Sequence, residues 1–244
     1  MPVAPADWLV HKSVNDGEGG ERDLGAPITD NILGNLFPQI SSAEAAAGGS
    51  RVRKFFIEND HATDTAFDPE ATIIFFPGAY TIELGWGMDD DDDDDASISG
   101  NLNGDLGGSD VTLSAVSDGA DTDNLTAFGR TAAGAHVQAT LTLNGTTPVN
   151  FSDDMAWVYA VVRDTPDGAR TVTIRRPGPV SIGTIQPNQR HCFWWMDQEE
   201  ADEIPMTLDD IAPAFLRGFW IRQTWPVNAS PGSGFSMTFN VDYD

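Results

Sequence analysis

The clearest pattern in the chain is at its C-terminal end. Phe235, Met237, Phe239, Val241 and Tyr243 alternate with Ser236, Thr238, Asn240 and Asp242. A period of two puts the first set on one face of a strand and the second on the other. Shorter runs of the same kind predict strands at Arg51–Glu58, Ala71–Phe76, Tyr80–Trp86, Val111–Val116, Leu125–Gly129, His136–Leu143, Trp157–Val162, Arg170–Arg175, Ser181–Ile185 and Leu216–Thr224. Turn residues punctuate them: Pro77-Gly78, Ser117-Asp118-Gly119, Asn144-Gly145 and Pro166-Asp167-Gly168. Short strands every ten residues or so, with such turns, predict an immunoglobulin-like sandwich or a barrel. Asn144-Gly145 has the chemistry of a hairpin turn.

Two stretches break the pattern. Residues 1–40 read as extended or irregular, with a loop at 15–20. Ser41 to Gly49 reads as one short helix, with Ser41 as cap, Glu44 closing a capping box and Gly48 or Gly49 as the stop. Residues 87–110 are acidic and rich in Gly and Asn, and predict an exposed loop.

Composition sharpens the picture. The 244 residues carry a net charge of -25, with 29 Asp against 9 Glu and 11 Arg against 2 Lys. In dilute salt such a chain repels itself. In molar salt the Debye length falls to about 3 Å and the repulsion is screened. Short carboxylates in place of lysine stems predict a protein that stays soluble in brine. The same charge argues against nucleic acid as a direct partner, because it repels phosphate; Arg51, Arg53 and Lys54 are too few to reverse that. The single cysteine, Cys192, excludes an intrachain disulfide and a multi-cysteine metal site. No apolar run approaches a membrane span, and residues 1–10 show neither a basic n-region nor an apolar core, so neither membrane insertion nor a Sec leader is expected.

Candidate chemistry is sparse. The run Asp89, Asp90, Asp91, Asp92, Asp93, Asp94 and Asp95 offers oxygen ligands for calcium or magnesium, but a homopolymer lacks the turn-spaced geometry of an ordered site. A solvated loop that loosely collects sodium, potassium, calcium or magnesium is the expectation. His11, His61, His136 and His191 show no zinc spacing. Asp60-His61 has no nucleophile elbow to complete a triad. Acidic pairs such as Glu199-Glu200 and Asp209-Asp210 carry no information in so acidic a chain, so no glycosidase follows from them. Trp194, Trp195, Trp220 and Trp225 are candidates for a subunit interface, for the core, or for stacking on a sugar ring. If Trp194 and Trp195 share a strand, one ring lies on each face.

Three stretches carry a resemblance. One is Leu33-Gly34-Asn35-Leu36-Phe37-Pro38 through Ser42–Gly48 to Arg53–Asn59. A second is Ser117–Thr122 with Leu143–Val149, and the third is Arg217–Thr224 with Pro226 and the alternating C-terminal strand. In that order they resemble structural proteins of the particles of tailed bacteriophages. The acidity and the Asp89–Asp95 run depart from the family's usual pattern and point to a virus of a halophilic host. The resemblance implies virion architecture and no catalytic residues.

Together these readings predict a mainly β chain. A discontinuous sandwich (jelly-roll or immunoglobulin-like) would be built from residues 1–86 with 200–244, followed by an acidic loop at 87–110. An inserted immunoglobulin-like sandwich would occupy 111–199, and the one short helix would lie near 41–48. They also predict a non-enzymatic, self-associating component of the particle exterior, a capsid decoration or turret touching the major capsid protein. A tail or baseplate component touching tail proteins, or a module binding a host-surface glycan, is the alternative.

Overall fold

The computed structural model describes residues 7–14, 22–28, 37, 39–67, 69–75, 81–87, 100–165, 169–197, 206–207, 210–230 and 237–242, with the backbone alone at 24, 26, 70–75, 207 and 237–242. The chain is mainly β, of the β-sandwich class, with several antiparallel sheets and one short helix. Its internal contacts divide it into two compact units: residues 1–96 with 196–244, and residues 97–195.

In chain order the first unit begins with β1 (Trp8–Ser13), β2 (Arg22–Pro27), α1 (Ser42–Ala47), β3 (Gly49–Asn59), β4 (Glu70–Phe75) and β5 (Thr81–Trp86). The inserted unit follows, with β6 (Val111–Ser117), β7 (Asn124–Arg130), β8 (His136–Thr142), β9 (Val149–Met155), β10 (Trp157–Arg163), β11 (Val172–Arg176), β12 (Val180–Ile185) and β13 (His191–Phe193). The chain then returns through β14 (Met196–Asp197), β15 (Met206–Thr207), β16 (Leu216–Trp225) and β17 (Met237–Asp242).

The discontinuous unit holds a six-stranded sheet, β14-β5-β16-β3-β1-β2, and a three-stranded sheet, β15-β4-β17. The two longest strands, β3 and β16, lie side by side at its heart, with Phe55 opposite Phe219 and Lys54 opposite Trp220. The pleat sorts their side chains by face. Phe55, Ile57, Phe219, Ile221, Leu84 and Trp86 share one face and are all buried. On the opposite face lie Lys54, Phe56 and Trp220, also buried, beside two paired carboxylates. Glu58 meets His11 Nε2 at 2.9 Å and the Arg22 guanidinium, and Glu83 takes two bonds of 2.5 Å from Arg222. The Lys54 ammonium sits over the Phe56 ring at 5.1 Å and the Trp220 ring at 5.5 Å.

The helix forms as its sequence predicts. The Ser41 hydroxyl accepts from Glu44 N–H, the Glu44 carboxylate accepts from Ser41 N–H, and Gly48 at φ 70 stops the helix. Six residues do not make a stable helix alone. Ala45 packs with Ile40, Trp225 and Ala229, and Trp225 Nε1 donates to the Glu44 carbonyl.

The inserted unit consists of two four-stranded sheets, β13-β10-β7-β8 and β12-β11-β6-β9. Its wiring is two folded hairpins in succession. The pairs β6·β9 and β7·β8 form the first, and β10·β13 and β11·β12 repeat the arrangement, joined by β7·β10 and β6·β11. Leu113, Ala115, Leu125, Ala127, Ala139, Val158, Tyr159, Val172 and Ile174 fill the core. The Asn144-Gly145 turn, with Gly145 at φ 55, does not close a hairpin within one sheet. It carries the chain from β8 into β9, across to the other sheet.

The expectation of a single exposed loop over 87–110 is corrected for its second half. Leu102 and Leu106 are buried, Leu102 N–H donates to Phe193 and Asn103 N–H to Ile182. This segment therefore ties β12 to β13 and belongs to the inserted unit. Gly104 is required there, because a Cβ would lie 2.1 Å from the Val158 carbonyl oxygen and 2.6 Å from the Trp194 ring. Residues 88–99, including Asp89–Asp95, lie outside the described residues.

Candidate interaction surfaces

Of the four candidate tryptophans, three are interior. Trp220 is fully buried, with its ring against Lys54. Trp225 is buried with the Arg51 guanidinium 5.4 Å from its ring centre. Trp194 is buried over Gly104. Trp195 is half-buried, edge-on to Phe193 at 4.9 Å. The expectation that Trp194 and Trp195 flank one strand is corrected: β13 ends at Phe193, and both rings follow it. Rings already covered by the chain's own side chains offer no face to a sugar or a neighbour.

The remaining candidates are structural in their geometry. His191 and Cys192 are both buried, and His191 stacks on Phe193 at 5.4 Å. Burial pushes the Cys192 thiol up to about 12, so it stays protonated and unreactive. His61 Nδ1 accepts from the Asp64 backbone N–H at 2.9 Å and shapes a loop. Arg163, wholly buried, bonds Asp121 at 2.8 Å and lies 3.3 Å from Asp123, pinning the turn between β6 and β7 to β10. Among the described residues no group of three or more His, Cys, Asp or Glu side chains is arranged to hold a metal ion.

Charge is distributed unevenly between inside and outside. All 13 basic residues are described, and only Arg170 and Arg176 are exposed. Lys54, Arg163 and Arg217 are buried, Arg217 with its guanidinium 5.0 Å from the Trp86 ring centre. Among the described carboxylates none is buried, and Asp60, Asp105, Asp110, Asp118, Asp153, Asp154, Asp164, Asp197 and Asp210 are exposed. Pairing and ring stacking have drawn the cations inward, where arginine's planar group packs well. The surface is therefore more purely anionic than the formula charge suggests. Sequence reasoning found the bias in composition but not this partition, which only tertiary packing decides.

Two surface features of the inserted unit stand out. The β11–β12 turn, Pro177, Gly178 and Pro179, and the residues that flank it, Arg176 and Val180, are all exposed, with Val180 44 % accessible. A bulge beside Arg175 precedes this tip. A cleft of about 450 Å³ is lined by Asp110, Thr131, His136, Gln138, Asp153 and Asp154. Asp110 accepts from Ala132 N–H at 2.7 Å, Asp153 from the Ser152 hydroxyl at 2.7 Å and Asp154 from the Thr112 hydroxyl at 2.5 Å, so the carboxylates are held in place.

No protein-family model, no curated protein and no solved structure matches the chain.

Proposed function

We propose that this chain is a non-enzymatic structural component of a tailed virus particle from a high-salt environment, placed on the capsid exterior as a decoration or turret. One observation carries the high-salt part: of the 13 bases only Arg170 and Arg176 are exposed, while none of the described carboxylates is buried. Such a surface binds water and cations in concentrated electrolyte and repels its own kind in dilute solution. The virion part is supported by the resemblance to tailed-phage structural proteins and by a scaffold of two β units, the second inserted in the sequence of the first. Sheets with open edge strands suit repeated contact with symmetric neighbours, which cover the edges. The buried rings of Trp194, Trp220 and Trp225 remove most of the platform that a glycan-binding reading needs.

The test is immunogold labelling of particles released by a halophilic culture that carries the gene. Labelling of the capsid shell is the expected result. Labelling confined to the tail would move the chain to the tail or baseplate. Particles that carry none of it would overturn the reading.

A further inference from the structure

The β11–β12 tip and the acidic cleft lie at the same end of the inserted unit. Arg175 of β11 stands opposite Ser114 of β6, and β6 runs back from there to Val111, opposite Met155 of β9. The tip therefore projects from the edge of the sheet where β6 begins and β9 ends, the edge that carries Asp110, Asp153 and Asp154. Thr131 and His136 reach the same edge from the other sheet, because Arg130 pairs with His136 and the Asp110 carboxylate bonds Ala132 N–H.

We propose that this end is a self-complementary face that pairs two copies of the chain about a two-fold axis, the tip of each copy seating in the cleft of the other. The inference rests on the reading of the chain as a self-associating building block and names the surface that does it. Charge selects the partner. A second copy presents carboxylate almost everywhere, and Arg176 is one of only two exposed cations that could meet it. The other, Arg170, lies beside Gly119, which leaves no room there for a Cβ. Arg176 projects beside two prolines and Val180, so an ion pair and a small apolar contact form together. A tip and a cleft side by side on one end make the contact reciprocal, so each contact is made twice. Salt gates the pairing. In dilute solution the repulsion between two strongly anionic chains dominates. In molar salt that repulsion is screened within about 3 Å, and burial of the apolar tip is retained.

Sedimentation of the full chain in molar KCl tests this. The wild type should sediment as a dimer and separate in dilute buffer. Arg176→Glu should weaken pairing about tenfold or more, because like charges then meet in the covered contact, where salt screens them least. Arg176→Glu combined with Asp153→Arg in one chain should recover it. Val180→Ser, a milder change at an exposed site, should weaken it less. Circular dichroism on each variant should keep the β spectrum. A wild type that stays monomeric in molar KCl would overturn the proposal, and so would an Arg176→Glu variant that still pairs or a swapped chain that does not recover. A chain that labels virus capsids but fails this test would leave the structural role standing and remove this contact.

Discussion

The two units handle the same shortage of bases in different ways. The discontinuous unit holds seven of them, Lys12, Arg22, Arg51, Arg53, Lys54, Arg217 and Arg222, and exposes none. It sets Arg51, Lys54 and Arg217 against aromatic rings and Arg22, Arg51 and Arg222 against carboxylates, so charged side chains are part of its packing. The inserted unit has a core of aliphatic and aromatic residues, one wholly buried arginine, and two exposed arginines, Arg170 just before β11 and Arg176 at its end. The first unit uses cations as packing material. The second keeps one as an internal clasp and leaves another at an exposed turn, available to a partner. A strongly anionic composition therefore need not give a uniform molecule.

The largest expected effects fall one in each unit. Trp220→Ala should cost about 3–5 kcal/mol, because it empties the buried face and strips a ring from Lys54. Arg163→Met should cost a similar amount, about 3–5 kcal/mol, because it leaves the nearly buried Asp121 carboxylate without its partner. Urea unfolding in molar KCl measures both. Amide exchange read by fragments should show protection lost in the strands of the altered unit; equal loss in both would mean that the two units do not pack independently.

Next in size is Gly104→Ala, at about 1–3 kcal/mol, since the new methyl meets the Val158 carbonyl. It tests whether 100–110 is part of the inserted core; a neutral result would return that segment to the status of a loop. Smaller still is Ser41→Ala, at about 1 kcal/mol from the lost cap, readable as a lower urea midpoint.

The smallest effect concerns acid. The Ser41 hydroxyl, the Arg51 guanidinium and the Ser41 backbone N–H hold the Glu44 carboxyl at about 2, against an ordinary value of 4.5. A group lowered on folding adds stability above its unfolded value and loses it as pH falls towards the folded one. Part of the stability of the discontinuous unit should therefore disappear between pH 4.5 and about 2. Glu44→Gln should remove that part of the pH dependence.

Much of the strand content was legible in the sequence because alternation and turns are local signals. The capped helix was legible for the same reason. Six strands were not: β13, β14 and β15 are only two or three residues long, too short to show a period, and β1, β2 and β9 break the alternation. β2 holds a glycine and ends in a proline, and β1 reads Trp-Leu-Val-His-Lys-Ser, with no clean alternation. β9 buries only Phe151 and Met155 among polar residues, the pattern of an edge strand. The tryptophans were legible only as a choice between core, interface and sugar platform, for a different reason. An aromatic side chain reads the same in sequence whether its ring faces solvent or a buried lysine. The tip at 176–180 was visible only as a turn between two strands. Its significance depends on every other base being at least partly covered, except Arg170, and no local pattern carries that.

The central claim is that this fold is built for concentrated electrolyte, and its most direct test is the free energy of unfolding as a function of KCl. Stability should climb steadily from dilute buffer to molar KCl as the repulsion among exposed aspartates is screened. A chain equally stable, or more stable, in dilute buffer would contradict it.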